Sequence, residues 1–136
     1  MKINSKQLVY IVDDDPDDRE SIRDAFLENN HRHHYQFMQN GEQLLSHLAK
    51  QSNDCLTSLI LLDLNMPGLS GRDVLKEIKE NEALQSIPVI VLTTSASEKD
   101  RRTSYELGAN CFLTKPDSYQ DLVEITDSIA RLWFAA

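Results

Sequence analysis

Apolar residues arrive in short blocks along this chain, and each block is followed by a stretch patterned at helical spacing. LVYIV, Leu8 to Val12, is the first block and reads as a strand: short, rich in β-branched residues and bounded by polar positions. Tyr35 to Met38 is a weaker second strand, and Leu59 to Leu62, Val89 to Leu92 and Cys111 to Leu113 complete a set of five. Between them, Ile22, Ala25 and Phe26 predict one helix, Leu44, Leu45 and Leu48 a second, and Val74, Leu75 and Ile78 a third. A fourth, over roughly Glu98 to Leu107, is weakly amphipathic and closes on Gly108, a residue suited to a left-handed C-cap. The fifth carries Leu122, Ile125, Ile129 and Leu132 at intervals of three or four.

Strands alternating with helices predict βαβ units and a parallel sheet. Blocks that are apolar throughout, rather than alternating, fit strands covered on both faces. The expected fold is therefore α/β, a three-layer (βα)5 sandwich. In open sheets of this kind, function sits in the crevice beyond the carboxyl ends of the strands. With 136 residues and no repeat or Gly/Ser linker, the expectation is one domain over 1–136, its core about 8–132.

Composition then excludes function classes. The net charge of −8, from 22 acids against 14 bases, argues against a nucleic-acid-binding surface. No apolar run approaches the roughly 20 residues of a membrane span, and the polar start lacks a signal peptide, so a cytoplasmic protein is expected. Cys55 and Cys111 lie far apart without CxxC spacing, which favours two reduced thiols over a disulfide.

The chemistry stands at the predicted strand ends. Asp13 and Asp14 follow the first strand, Asp63 the third, Thr93 and Thr94 the fourth, and Lys115 and Pro116 the fifth. If strands 1, 3, 4 and 5 lie side by side, three carboxylates, a hydroxyl and one lysine converge on one rim. Hard oxygen ligands suit Mg²⁺, which takes few carboxylates and keeps several waters. A carboxylate beside such an ion can attack a phosphoryl group, whose charge the cation and Lys115 would neutralise while Thr93 hydrogen-bonds an oxygen.

VDDDP, LLDLNMPG with its following SG, VLTTS and LTKP, in this order, resemble the receiver domain of two-component response regulators. The resemblance runs from about Leu8 to Leu132. It implies a doubly wound, flavodoxin-like parallel sheet of order 2-1-3-4-5. It makes Asp63 the phosphoacceptor, with Mg²⁺ (or Mn²⁺) bound by Asp14, by Asp13 through water, by Asp63 and by the backbone carbonyl of Asn65. Thr93 becomes the switch hydroxyl, Phe112 the aromatic that swings inward with it, and Lys115 the phosphoryl contact, with a cis Lys115–Pro116 peptide. Thr94 stands where many relatives have alanine and Phe112 where tyrosine is common. Asn65 and Ser95 hold the positions that influence phosphoryl lifetime.

The resemblance also implies a signalling protein rather than an enzyme, with only self-phosphorylation from small donors and slow self-dephosphorylation. Its phosphoryl donor would be a sensor histidine kinase or phosphotransfer protein, and no output domain is expected. Output would come by protein contact through the face of helix 4, strand 5 and helix 5, with homodimerisation there or at Trp133 and Phe134 as an option. Asn65 to Val91, with KENEALQSIP, resembles the single-domain regulators that pair with phytochrome-like sensor kinases. The alternative is a phosphorylation-independent receiver-like interaction domain, although such domains usually lack one of the residues kept here. A hydrolase-type enzyme has no nucleophile elbow to support it.

Other motifs have plainer readings. DDDPDD fails as a calcium loop because Asp18 stands where glycine is needed. A DxDxT phosphatase motif would need Thr or Val at Asp17. Asp15 is placed to cap the first helix, Pro16 to open it, and Asp17 and Asp18 to face its positive end. His31, His33 and His34 read as a solvated turn rather than a metal cluster, and His47 as a surface residue. Pro67-Gly68 reads as a turn, with Ser70 capping the third helix. Trp133 and Phe134 either pack on their own domain or form an apolar patch for dimerisation.

Overall fold

The computed structural model describes residues 7–50 and 57–134. The strands are β1 (Leu8–Val12), β2 (His34–Met38), β3 (Thr57–Leu62), β4 (Val89–Thr93) and β5 (Cys111–Thr114). The helices are α1 (Pro16–Glu28), α2 (Gly41–Lys50), α3 (Gly71–Glu80), α4 (Glu98–Glu106) and α5 (Tyr119–Trp133). All strand pairs are parallel, in the order β2-β1-β3-β4-β5. The chain is thus the three-layer sandwich its pattern predicts, with the doubly wound, flavodoxin-like strand order that the resemblance implies.

Each central strand feeds two cores, because successive side chains point to opposite faces. Val9, Ile11, Leu59, Leu61, Ile90 and Leu92 pack against α1 and α5, where they meet Ile22, Phe26 and Ile129. Tyr10, Val12, Ile60, Leu62, Val89 and Val91 face the other way and meet Leu44 and Leu48 of α2 and Val74, Leu75 and Ile78 of α3. This two-sided burial explains why β1, β3 and β4 read as unbroken apolar blocks. β2 and β5 are the sheet's edges, and both are only partly covered.

The ends of the elements carry four corrections. β4 includes Thr93 as its last residue, which fixes that side chain by strand geometry rather than by a loop. Leu132, expected in the core, is 76% exposed; the buried face of α5 is Leu122, Val123, Thr126, Ile129 and Ala130. Leu132 borders the open groove between α5 and β5 instead. No cis peptide occurs among the described residues, so Lys115–Pro116 is trans, the form a tertiary amide still favours by about 0.5–1 kcal/mol. His31 and His33 are half-buried, not solvated: His31 Nε2 lies 2.8 Å from Asp127 Oδ1, and the His33 ring meets Phe134 edge-on at 4.5 Å.

Other local expectations hold. Asp15 caps α1 by accepting from the N–H groups of Asp17 and Asp18, with Pro16 opening the helix. Ser70 caps α3 through the N–H of Asp73, and Gly108 takes φ +105° past the end of α4. His47 is exposed on α2. Phe134 packs on its own domain, stacked on Phe26 at 5.9 Å. Cys111 is a free thiol, and Cys55 lies outside the described residues.

Candidate functional site

Parallel strands bring the ends of β1 and β3 together, and the ladder extends one step past each. Asp13 N–H donates to Met38 O at 3.0 Å, and Asp63 N–H donates to Val12 O at 3.0 Å. Both side chains therefore start from fixed backbone. They are nearly closed off from solvent, whereas Asp14 between them is exposed. Oxygens of Asp13, Asp14 and Asp63 all lie within 4.8 Å of one another, and among the described residues no other group of three or more His, Cys, Asp or Glu side chains is close enough to hold a metal ion.

Lys115 enters from β5. Its backbone N–H donates to Thr93 O at 2.6 Å, and its ammonium reaches Asp13 Oδ2 at 2.7 Å and Asp63 Oδ2 at 3.3 Å. Burial works to lower the lysine's pKa, but hydrogen bonds to Asp13 and Asp18 outweigh it and hold the group charged. Asp13 itself is pushed up, first by burial and further by Asp63, with Lys115 and the Asp15 N–H offsetting only part. One half-buried ammonium thus faces an excess of carboxylate. A divalent cation fits this donor set: hard oxygens, negative charge in excess, and an exposed Asp14 at the entrance.

Thr93 is fully buried, and its Oγ1 accepts from Asn65 Nδ2 at 3.4 Å, which leaves the hydroxyl proton to donate. Asn65 N–H donates to Asp63 Oδ1 at 3.2 Å, so Asp63, Asn65 and Thr93 form one chain of contacts. Phe112 lies inward in the core on the α2–α3 side. Of the seven residues marked in the sequence, six stand at this rim and Phe112 lies in the core behind it; Asp13, Asp14 and Asp63 cluster, and Lys115 bonds Asp13 and Asp63.

Several participants escape sequence reasoning. Asp18, read only as a helix-start residue, bonds the Lys115 ammonium at 2.8 Å. Arg19 Nη1 donates to Asp13 O at 2.6 Å. Asp100 on α4 pairs with Arg72 on α3 and accepts from Ser95 Oγ at 2.7 Å, tying the loop after β4 to two helices. Tyr105 Oη accepts the Phe112 N–H at 3.0 Å. No spacing rule announces these contacts, since each spans elements whose docking only the fold sets.

Fold and rim together define a phosphoryl-signalling module, and the chain belongs to the response regulator receiver family, whose model matches residues 9–127. Among its relatives, the response regulator Rcp1 of Synechocystis is 37% identical over 133 residues, covering 96% of this chain and 90% of Rcp1. The phosphorylated cyanobacterial phytochrome response regulator RcpA superposes with a TM-score of 0.88 at 34% identity, over 96% of both chains. The Mn²⁺-bound form of Rcp1 does so at 0.84 and 35% identity, again over 96% of both. Receivers of this family take phosphoryl groups from histidine kinases.

Proposed function

We propose that Asp63 is the phosphoacceptor. The observation that carries this reading is the Asp63 carboxylate, 3.3 Å from the Lys115 ammonium and within ligand reach of Asp13 and Asp14. One Asp63 oxygen attacks phosphorus, the bond from phosphorus to the donor's imidazole nitrogen or acyl oxygen breaks, and the donor leaves with that electron pair. Asp13, Asp14, Asp63 and the backbone carbonyl of Asn65 would hold Mg²⁺, or Mn²⁺ as in Rcp1. The cation supplies charge neutralisation at the phosphoryl oxygens. Lys115 contacts a phosphoryl oxygen, and Thr93 donates its hydroxyl proton to another. Phe112, paired on β5 with Val91 two residues before Thr93, follows that movement.

The donor in this reading is a sensor histidine kinase or phosphotransfer protein in the cytoplasm. Similarity to RcpA, a phytochrome response regulator, supports a photoreceptor kinase as the donor class. The protein turns over no substrate beyond its own phosphorylation and dephosphorylation. Output runs through the α4–β5–α5 face, where Leu132, Trp133, Leu113 and Cys111 line an open groove of about 530 Å³. That face would also serve a homodimer.

The test is direct. Acetyl phosphate with Mg²⁺ should add the mass of one phosphoryl group to the intact protein, EDTA should prevent it, and Asp63→Asn should abolish it. A folded wild type that gains nothing would instead favour a receiver-like domain working by binding alone.

A further inference from the structure

The Lys115 ammonium has three N–H donors and three carboxylate partners: Asp13 at 2.7 Å, Asp18 at 2.8 Å and Asp63 at 3.3 Å. Two of these, Asp13 and Asp63, belong to the set that would hold the cation; Asp18 does not. Ammonium and cation therefore compete for the same two carboxylates. Asp18 sits in the first turn of α1 with its side chain 41% exposed, against 3% for Asp13 and 7% for Asp63. Beside it, Asp18, Ser21, Ile22, Lys115, Pro116 and Leu122 line a cavity of about 60 Å³. The ammonium has both a third partner outside the cation set and space in which to shift toward it.

We propose that Asp18 is a positioning residue for Lys115, the carboxylate that keeps the ammonium beside Asp63 while Asp13 and Asp63 turn to a divalent cation. The proposal rests on the phosphoacceptor reading for its purpose, but not for its measurement. Without Asp18, the ammonium has only Asp13 and Asp63 to bond, and it opposes the cation at both. With Asp18, one positive charge is drawn to the α1 side and the second approaches from the Asp14 side. Asp18 therefore raises cation affinity without touching the cation.

A double-mutant cycle on the full chain, read by calorimetric titration with Mg²⁺, tests this. Asp18→Asn should weaken Mg²⁺ binding on the order of tenfold, the lower end of what groups behind metal ligands contribute. In a Lys115→Met background the same substitution should change affinity by less than about threefold, the remnant of one partly exposed charge. Asp18→Ala should repeat the pattern, and thermal unfolding identifies the variants that fold. A second readout is acylation of Lys115 by acetic anhydride, mapped by peptide mass. Mg²⁺ should leave the wild-type lysine protected but speed its modification in Asp18→Asn.

Equal losses of Mg²⁺ affinity in both backgrounds would overturn the proposal, as would no loss in either. Unchanged Lys115 reactivity with Mg²⁺ in Asp18→Asn would do the same. A wild type that binds Mg²⁺ and shows the coupling but takes no phosphoryl group would overturn the phosphoacceptor reading alone. One that binds no Mg²⁺ would overturn both.

Discussion

Asp13 shows how far a single residue's chemistry departs from its sequence appearance. It is one of five aspartates in six positions, yet it is the one that is 2% exposed as a residue and whose pKa burial raises. A carboxyl with a raised pKa in the fold contributes most to stability in acid, and loses that contribution as pH rises through its folded value. At neutral pH the buried charge is a liability accepted for cation binding. Asp13→Asn, which keeps one oxygen as acceptor for Lys115 and leaves the N–H of exposed Asp15 to solvent, should raise the Tm in cation-free buffer by about 4 °C, the shift that ~1 kcal/mol gives at this length. The gain should shrink as pH falls through the raised pKa, because the wild-type carboxyl then takes up its own proton. Thermal scans at several pH values check this, and an advantage that grows in acid would contradict it. Asp13, Asp14, Asp63, Thr93 and Lys115 were readable because each follows an apolar block. Asp18 was not, since its partner lies 97 positions away and only the docking of α1 against α5, the helix that follows Lys115, introduces them.

At the level of elements, the pattern located every helix and strand but not how far each packs. Periodicity marks a face and says nothing about where the neighbouring layer stops, hence Leu132, apolar, in phase and 76% exposed. β2 was the weakest strand reading because it is an edge, with alternate residues facing water. Close approaches between elements were equally hidden, and Gly71 is the clearest. A Cβ there would lie 2.5 Å from Asp63 O and 2.6 Å from Leu64 Cα, both backbone atoms that cannot swing aside. Glycine at the start of α3 is what lets that helix sit against the end of β3. Gly71→Ala should therefore cost about 1–3 kcal/mol of stability, the range for overpacking. It should also lower the rate of phosphorylation by acetyl phosphate, because it displaces the backbone that aims Asp63. Chemical denaturation and intact-mass kinetics measure the two effects, and a variant as stable and as fast as wild type would show that α3 can move away freely.

Across the whole molecule, topology concentrates charge that composition only hints at. A net charge of −8 spread over a surface is mild, but the 2-1-3-4-5 strand order delivers Asp13, Asp14 and Asp63 to one rim with Lys115 as their half-buried counter-charge. The unfolded chain scatters these groups, so a divalent cation should bind the fold far better than the coil. Such a ligand stabilises by RT ln(1 + [L]/Kd), about 2.7 kcal/mol at a hundred times Kd. In a chain of this length that corresponds to about 10 °C in Tm. Diffuse screening of the acidic surface is the competing explanation, and it depends on ionic strength rather than on a site. Calorimetric scans with MgCl₂ against NaCl at matched ionic strength separate the two. The Mg²⁺ increment should exceed the Na⁺ increment in wild type and should collapse in Asp14→Asn and in Asp63→Asn, although each still carries most of the net charge. Equal increments for both salts, or an Mg²⁺ increment that survives loss of Asp14 and of Asp63, would mean the rim carboxylates gather for Lys115 alone.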